Sequence, residues 1–252
     1  MKKLKSFFVM TLIAIFVSCG TSSCGDDDKD NPGGNNGGST SQNGGNVKPE
    51  ESIPVTGTIV GDINTTTWTA GEESSVQLSG IPGSYADFKD LQSQIGGTPQ
   101  GAATLVLVAM EMYHQRGATV GLKCLEEVAT PSTITPDLKD RLKELFTSSD
   151  PNYARPYQVA AFLKGASPEN GYNPTKPYTV ETYVDNVPFE DSELLNGTVI
   201  TLRVKYSGSQ TSKDVRVQIV KPYGKEYYIA STWNSYYIRV RKIANGTTFN
   251  GL

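Results

Sequence analysis

Clustered carboxylates are the residues of this sequence that could support catalysis without a cofactor. Glu190, Asp191 and Glu193 precede a predicted strand, and Glu126 and Glu127 lie on a predicted helix. Two carboxyl groups about 5–10 Å apart can hydrolyse a glycosidic bond, one as the acid and the other as the base or nucleophile. Sequence spacing does not place any of these groups across a cleft. We therefore favour a solvated acidic surface, with a carboxylate-dependent glycan hydrolase as the alternative function.

Histidine chemistry has little support in this chain. The one histidine, His114, lies near the end of an apolar helical stretch, and Cys124 follows ten residues later. On one continuous helix, ten residues would separate the two side chains by about 15 Å. The sequence contains no G-x-S-x-G, G-x-G-x-x-G, P-loop or H-E-x-x-H pattern. We expect a protein that is not an enzyme and that holds no cofactor or metal.

The last third of the chain combines basic and aromatic residues that could bind a partner. Residues 198–252 hold nine Lys or Arg but two acids, Asp214 and Glu226. A basic patch on an acidic protein attracts acidic glycans, lipid headgroups or acidic proteins, and exposed Tyr and Trp suit sugar or protein contacts. Cross-strand packing and a solvated sheet face are the more ordinary interpretation. The predicted partner-binding residues are Arg203, Lys205, Arg239, Arg241, Tyr228, Trp233 and Tyr237.

Charge and cysteine content limit the classes of partner. After the first 18 residues are removed, 20 Lys and Arg remain against 26 Asp and Glu, a net charge of −6. Nucleic-acid binding depends on dense Lys and Arg, so we expect no nucleic-acid partner. Of the three cysteines, only Cys124 lies in the part expected to fold. One thiol forms neither a disulfide framework nor a cysteine zinc site.

The N-terminus has the pattern of a bacterial secretion signal. Residues 1–6 contain three lysines, and residues 7–17 are apolar except for Thr11. This apolar run is shorter than the roughly 20 residues that span a bilayer. The residues Phe16-Val17-Ser18-Cys19 resemble a lipobox, in which a small residue precedes an acylated cysteine. We predict a lipoprotein signal peptide over 1–18 and lipidation of Cys19, with Cys24 as the alternative.

The segment after the signal is predicted to be a lipidated, flexible tether over 19–52. It is rich in Gly, Asn and Asp, and it has too few apolar side chains to offset the cost of ordering. The acidic residues 26–28 resemble the export signal of surface-exposed lipoproteins. We predict an outer membrane lipoprotein, bound to the membrane through its lipid and exposed at the cell surface. The periplasmic face is the alternative.

Hydrophobic periodicity assigns residues 53–252 to a single α+β domain. Short strands are expected over 53–80, helices over 81–166 and a β-sheet over 175–245. The predicted fold is an N-terminal helical bundle of four to five helices followed by an antiparallel β-meander, with a few short strands before the bundle. A last helix is predicted over 155–163, and a last strand over 236–243.

Four short segments resemble an uncharacterised domain family found in secreted lipoproteins of Gram-negative gut bacteria. They are residues 95–103, residues 162–170, residues 177–180 and the closing Trp233-Asn234-Ser235. The resemblance covers roughly residues 80–243. It implies one folded unit, and it implies no activity and no catalytic residues. The sequence thus predicts a lipid-anchored envelope module, not an enzyme, that binds a protein or a glycan.

Overall fold

Residues 48–252, the part of the chain that the computed structural model describes, contain four α-helices and seven β-strands. The predicted signal peptide, most of the predicted tether, Cys19 and Cys24 lie outside these described residues. The helices are α1 (Tyr85–Ile95), α2 (Pro99–Arg116), α3 (Ala118–Val128) and α4 (Pro136–Thr147). The strands are β1 (Gly57–Val60), β2 (Glu73–Leu78), β3 (Tyr178–Val184), β4 (Glu190–Ser192), β5 (Gly197–Lys205), β6 (Asp214–Pro222) and β7 (Ile229–Thr232).

The strands form one antiparallel sheet in the order β1-β2-β3-β5-β6-β7, with the short β4 paired to the beginning of β5. Val76 of β2 lies opposite Val180 of β3, and Ile200 of β5 lies opposite Ile219 of β6. These four side chains are buried. Alternate residues of each strand point to opposite faces, so one face of the sheet forms the core and the other carries polar side chains.

This sheet corrects the predicted fold, in which a helical bundle was followed by a separate meander. The N-terminal strands are not separate, because β2 pairs along its whole length with β3, the first strand after the helices. Val76 and Leu78 of β2 extend the apolar face that β3 and β5 present. Three helices contact the sheet, with α1 against β1, α2 against β2, β6 and β7, and α3 against β7, while α4 packs on α2. The helices therefore complete a layer on the sheet and do not form an independent bundle.

The central helix α2 follows its sequence pattern. Thr98 caps it by accepting a hydrogen bond from the Gly101 N–H at 3.1 Å, and Pro99 occupies the first turn. Residues 102–113 of α2 are buried on all sides. Gly121 brings α3 against α2, because a Cβ at that position would lie 2.2 Å from the Cα of Tyr113. No helix in residues 48–252 combines the length and apolar character needed to cross a bilayer.

Two elements predicted from the sequence are wrong, and the two segments concerned are hydrogen-bonded to each other. The predicted helix over 155–163 is a series of turns with one short 3₁₀ segment, and the predicted strand over 236–243 is another 3₁₀ turn followed by extended chain. Buried side chains supply the hydrogen bonds that a sheet would have supplied. The Gln158 amide donates to the carbonyls of Tyr236 and Ile238, and Arg155 donates to the carbonyl of Val240 at 2.7 Å.

Candidate functional site

The two predicted cations on β5 lie on the polar face of the sheet, and each meets carboxylates. Arg203 contacts Asp185 and donates to Asp214 at 2.9 Å, while Arg216 of β6 approaches Asp185 at 3.2 Å. The Asp185 side chain is 1 % exposed. Burial alone would raise its pKa, but the hydrogen bonds from the two arginines outweigh burial and hold the pKa of Asp185 below its ordinary value. Lys205 pairs with Glu73 at 3.1 Å.

The two predicted cations near the C-terminus lie on a different element, the extended chain after β7. Arg239 pairs with Glu144 of α4 at 3.0 Å and stacks over the ring of Tyr153. Arg241 approaches Glu169 at 3.8 Å. The four predicted cations therefore belong to two parts of the fold, and each has a carboxylate partner.

The predicted aromatic residues lie mainly inside the core. Trp233 is 1 % exposed and its indole N–H donates to the hydroxyl of Thr133 at 2.9 Å, while the ring of Tyr237 packs edge-on against it. Tyr228 is also buried. The aromatic residue of this region that faces solvent is Tyr223, which is 60 % exposed and was not in the predicted set.

Tyr223 stands at the tip of the β6–β7 hairpin. The Lys225 N–H donates to the carbonyl of Pro222 at 3.0 Å, and Gly224 adopts a φ of +73°. Tyr223 follows the end of β6, and its ring remains largely exposed. Pro222 and Gly224, which flank Tyr223, are residue types typical of turns. The turn is therefore the signal in the sequence that distinguishes Tyr223 from the buried aromatics.

A cavity of about 270 Å³ opens beside this turn, and we name it the tyrosine–lysine cavity. Tyr223 and Tyr228 line it together with Lys221, Lys225 and Thr198. The ammonium of Lys221 stands 5.2 Å from the ring centroid of Tyr228. Two aromatic rings, two cations and a hydroxyl thus converge on one small concave surface. Such a surface can stack on a ring and pair with a negative charge on the same ligand.

A larger cavity of about 550 Å³, which we name the glutamate cavity, also borders the hairpin and shares Pro222 and Lys225 with the first. Its lining includes Glu126, Glu127 and Glu226. Glu127 accepts hydrogen bonds from Lys89 at 2.7 Å and from the hydroxyl of Tyr85 at 2.6 Å. These bonds outweigh burial and lower the pKa of Glu127, so it is held as a carboxylate.

The other predicted acids lie on and beside β4. Asp191 accepts a hydrogen bond from Thr198 at 2.7 Å, and the Tyr223 hydroxyl comes within 3.5 Å of it. Asp191 therefore supports two residues that line the tyrosine–lysine cavity. Glu190 and Glu193 are exposed. Neither is part of the lining of the glutamate cavity, so the two predicted acidic clusters do not meet there.

A histidine–carboxylate pair is present that sequence reasoning missed. His114 Nδ1 lies 3.2 Å from Glu111 Oε1, and the Glu111 side chain is buried. Burial would lower the pKa of His114, but the hydrogen bond and charge of Glu111 outweigh burial and raise it. The spacing of three residues along a helix was the available signal. Within residues 48–252, His, Cys, Asp and Glu side chains form no group of three or more that could hold a metal ion.

The lone thiol of the described region, Cys124, is on α3 and is buried in the main hydrophobic core. Burial is the main cause that raises its pKa to about 12. A thiol with this pKa is protonated at neutral pH and is a poor nucleophile. Cys124 therefore acts as a small apolar core residue.

Comparison with known proteins gives one match. A domain of unknown function, DUF6935, matches residues 80–244, which include all four helices, β3 to β7 and both cavities beside the hairpin except for Thr65. The comparisons with curated proteins and with solved structures found no match. Since the match covers more than half of the sequence, the chain belongs to the DUF6935 family.

Proposed function

We propose that this protein is a lipid-anchored module of the cell envelope that binds an acidic glycan without transforming it. The observation that carries the proposal is the tyrosine–lysine cavity, where the exposed ring of Tyr223 stands beside Lys221 and Lys225. An aromatic face suits the apolar face of a sugar ring, and the ammonium groups suit a carboxylate or sulfate on that sugar.

The dimensions of the cavity favour a glycan over a protein partner. At about 270 Å³ it lies just below the range of roughly 300–1,000 Å³ typical of small-molecule sites. It can take one sugar or the end of a glycan chain. Protein interfaces instead bury about 800 Å² per partner on a broad surface. The other large exposed apolar residues, such as Tyr153, Leu194 and Ile238, lie on different segments of the described chain.

The lipid anchor rests on the N-terminal sequence. Its short apolar run and the cysteine at its end support acylation at Cys19, with Cys24 as the alternative. Metabolic labelling with a palmitate analogue in a Gram-negative host is expected to mark the wild-type chain and to lose the label in Cys19→Ala. Retention of the label in Cys19→Ala and loss in Cys24→Ala would assign the anchor to the second cysteine. Retention in the double variant would contradict lipidation.

Calorimetric titration of the full-length chain tests glycan binding. The ligands are trigalacturonic acid, a hyaluronan tetrasaccharide and a heparin tetrasaccharide, with maltotriose as the neutral comparison. We expect at least one acidic ligand to bind and maltotriose to bind much more weakly. Tyr223→Ala is expected to weaken the acidic ligand about tenfold or more, as truncation of an aromatic contact residue commonly does.

Tyr153→Ala is the matched control, because Tyr153 is also an exposed tyrosine but lies between α4 and the C-terminal segment. This variant is expected to bind as the wild type does. Equal losses in the two variants would show that the cavity is not the binding site. Absence of binding by all three acidic ligands would contradict the proposed function.

The glutamate cavity supports a second candidate, a carboxylate-dependent glycan hydrolase. Three glutamates line this cavity, and the lowered pKa of Glu127 suits a base or nucleophile. If the protein is a hydrolase, it should release reducing ends from the same acidic oligosaccharides. Glu127→Gln should then abolish that release. Binding without release supports the binding module.

A further inference from the structure

We propose that a second cavity, remote from the tyrosine hairpin along β5 and β6, binds a tetrahedral oxyanion, that is, a phosphate or sulfate group. This lysine cavity has a volume of about 170 Å³ and lies where β5 ends and β6 begins. Lys164, Lys205 and Lys213 line it, and Glu181 is the one carboxylate in its lining. The local excess of positive charge stands on a protein whose overall charge is negative.

The three lysines come from separate segments, and hydrogen bonds fix the backbone of each. Lys205 ends β5, where it lies opposite Asp214 of β6. The carbonyl of Lys213 accepts a hydrogen bond from the Tyr206 N–H at 2.9 Å, which closes the β5–β6 hairpin. These bonds place the Lys205 and Lys213 side chains at the same end of the sheet. Prior positioning of cations reduces the entropy lost when an anion binds.

Lys164 is held on the other wall of the cavity. Its N–H donates to the carbonyl of Thr179 at 2.8 Å, and its own carbonyl accepts from the N–H and the hydroxyl of Thr175. The next residue, Gly165, has a φ of +83°, a conformation that glycine adopts without strain. This turn belongs to one of the segments, residues 162–170, that carries the family resemblance, and the proposed glycan site makes no use of it.

The existing partners of the lysines leave the cavity available to an anion. Lys164 pairs with Glu181 and Lys205 pairs with Glu73, each at 3.1 Å, and both pairs are solvent-exposed. Exposed pairs of this kind contribute little stability, so an anion with more charge can displace them. Among residues 48–252, Lys213 has no carboxylate within ion-pair distance. Its charge also acts at longer range on Glu169, but Lys213 forms no ion pair that an anion would have to displace.

The volume of the lysine cavity and the charges beside it determine which ligand it can hold. The volume of about 170 Å³ is too small for an oligosaccharide but admits one phosphate or sulfate group. The adjoining cavity of about 270 Å³ contains Glu73 and Glu181, which repel a second negative group. The site therefore suits a single terminal oxyanion and not a continuous polyanion. Inorganic phosphate and a phospholipid headgroup share this chemistry.

Two measurements on the full-length chain test the proposal. The first is calorimetric titration with inorganic phosphate at constant ionic strength, and the second is co-sedimentation with phosphatidylglycerol vesicles, with phosphatidylcholine vesicles as the comparison. We expect Lys213→Gln to weaken binding of the responding probe about tenfold, since a hydrogen bond to a charged group contributes on this scale. Lys139→Gln, which removes an exposed lysine of α4, is expected to leave binding unchanged.

The outcomes separate the sources of the oxyanion and the two proposals. Phosphate binding assigns the site to a free anion, and binding only to phosphatidylglycerol assigns it to a headgroup. If neither probe binds, or if Lys139→Gln weakens binding as much as Lys213→Gln, the proposal is overturned. Tyr223→Ala should not alter phosphate binding, because Tyr223 lines a different cavity. Failure of the glycan site and failure of the lysine cavity are thus measured independently.

Discussion

Substitution of Asp185 by asparagine tests whether the arginine pair on the sheet is structural. The exchange keeps the shape of the side chain but removes the charge that Arg203 and Arg216 share. One of the two side-chain oxygens also becomes an NH₂ group, which faces an N–H donor and cannot accept from it. The carboxylate is almost fully buried, whereas the side chains of Arg203 and Arg216 are 32 % and 49 % exposed.

The solvent exposure of the two arginines determines how much the substitution lowers the free energy of unfolding. Breaking a fully buried pair costs about 3–5 kcal/mol, while exposed pairs contribute about 0–1 kcal/mol. Both arginines can regain water in the variant, so we expect a loss of about 2 kcal/mol in the free energy of unfolding. For a domain of this size that loss corresponds to a fall in Tm of about 4–8 °C. Urea denaturation and calorimetry of the full-length chain at pH 7 measure both quantities.

The pH dependence gives a second check on the same residue. Because the folded pKa of Asp185 is lowered, its contribution is present above the unfolded value, near 4, and is lost as the pH falls through the folded value. The difference between wild type and variant should therefore be constant from pH 6 to 8 and should shrink in acid. Asp62→Asn is the control, since Asp62 is exposed in the loop between β1 and β2. Equal stability of wild type and Asp185→Asn would refute the reasoning.

Three further predictions concern the helical layer. Cys124 should react with a thiol reagent far more slowly in the native protein than in denaturant, because it is buried and its pKa is raised to about 12. Glu111→Gln should lower the pKa of His114 below its ordinary value of 6.5, as followed by NMR titration, because burial then acts without the opposing carboxylate. Gly121→Ala should lower the free energy of unfolding by about 2 kcal/mol, because the new methyl group overlaps the backbone of Tyr113.

For each of these three predictions, a specific result would contradict it. Rapid labelling of native Cys124 would show that the core between α3 and the sheet opens easily. An unchanged pKa of His114 in Glu111→Gln would show that Glu111 does not raise the pKa of His114. Gly97→Ala serves as the control for Gly121→Ala, because a Cβ at Gly97 has no heavy atom within 4 Å. Equal stability of the two glycine variants would contradict the close packing of α2 and α3.

Local features of the fold could be predicted because local residues determine them. Ser84, Thr98 and Thr135 are residue types that favour helix starts, and each side chain accepts a hydrogen bond from an N–H three residues further on. The sheet order could not be predicted in this way. Val76 pairs with Val180 across more than one hundred residues, and no periodicity within either strand specifies that partner.

The candidate binding site could be predicted only in part, because it also depends on how distant segments pack. The crowding of aromatic residues located the hairpin region, but residue type does not distinguish a buried ring from an exposed one. Trp233 fills the core, while Tyr223 is lifted into solvent by the turn at Gly224. The predicted basic patch depended on Arg239 lying in a last strand beside Arg203. Because Gln158 and Arg155 hold that segment as extended chain, the two arginines belong to different elements.

The measurement that tests the central claim most directly is a series of ¹H–¹⁵N NMR spectra of the full-length chain during addition of trigalacturonic acid and the hyaluronan and heparin tetrasaccharides. We expect saturable shifts of the amides of the hairpin from Lys221 to Tyr228 and of Thr198, and no comparable shifts with maltotriose. Shifts confined to residues of the glutamate cavity, together with cleavage of the ligand, would support the hydrolase instead. Unchanged spectra with all three acidic ligands would contradict the proposed glycan site.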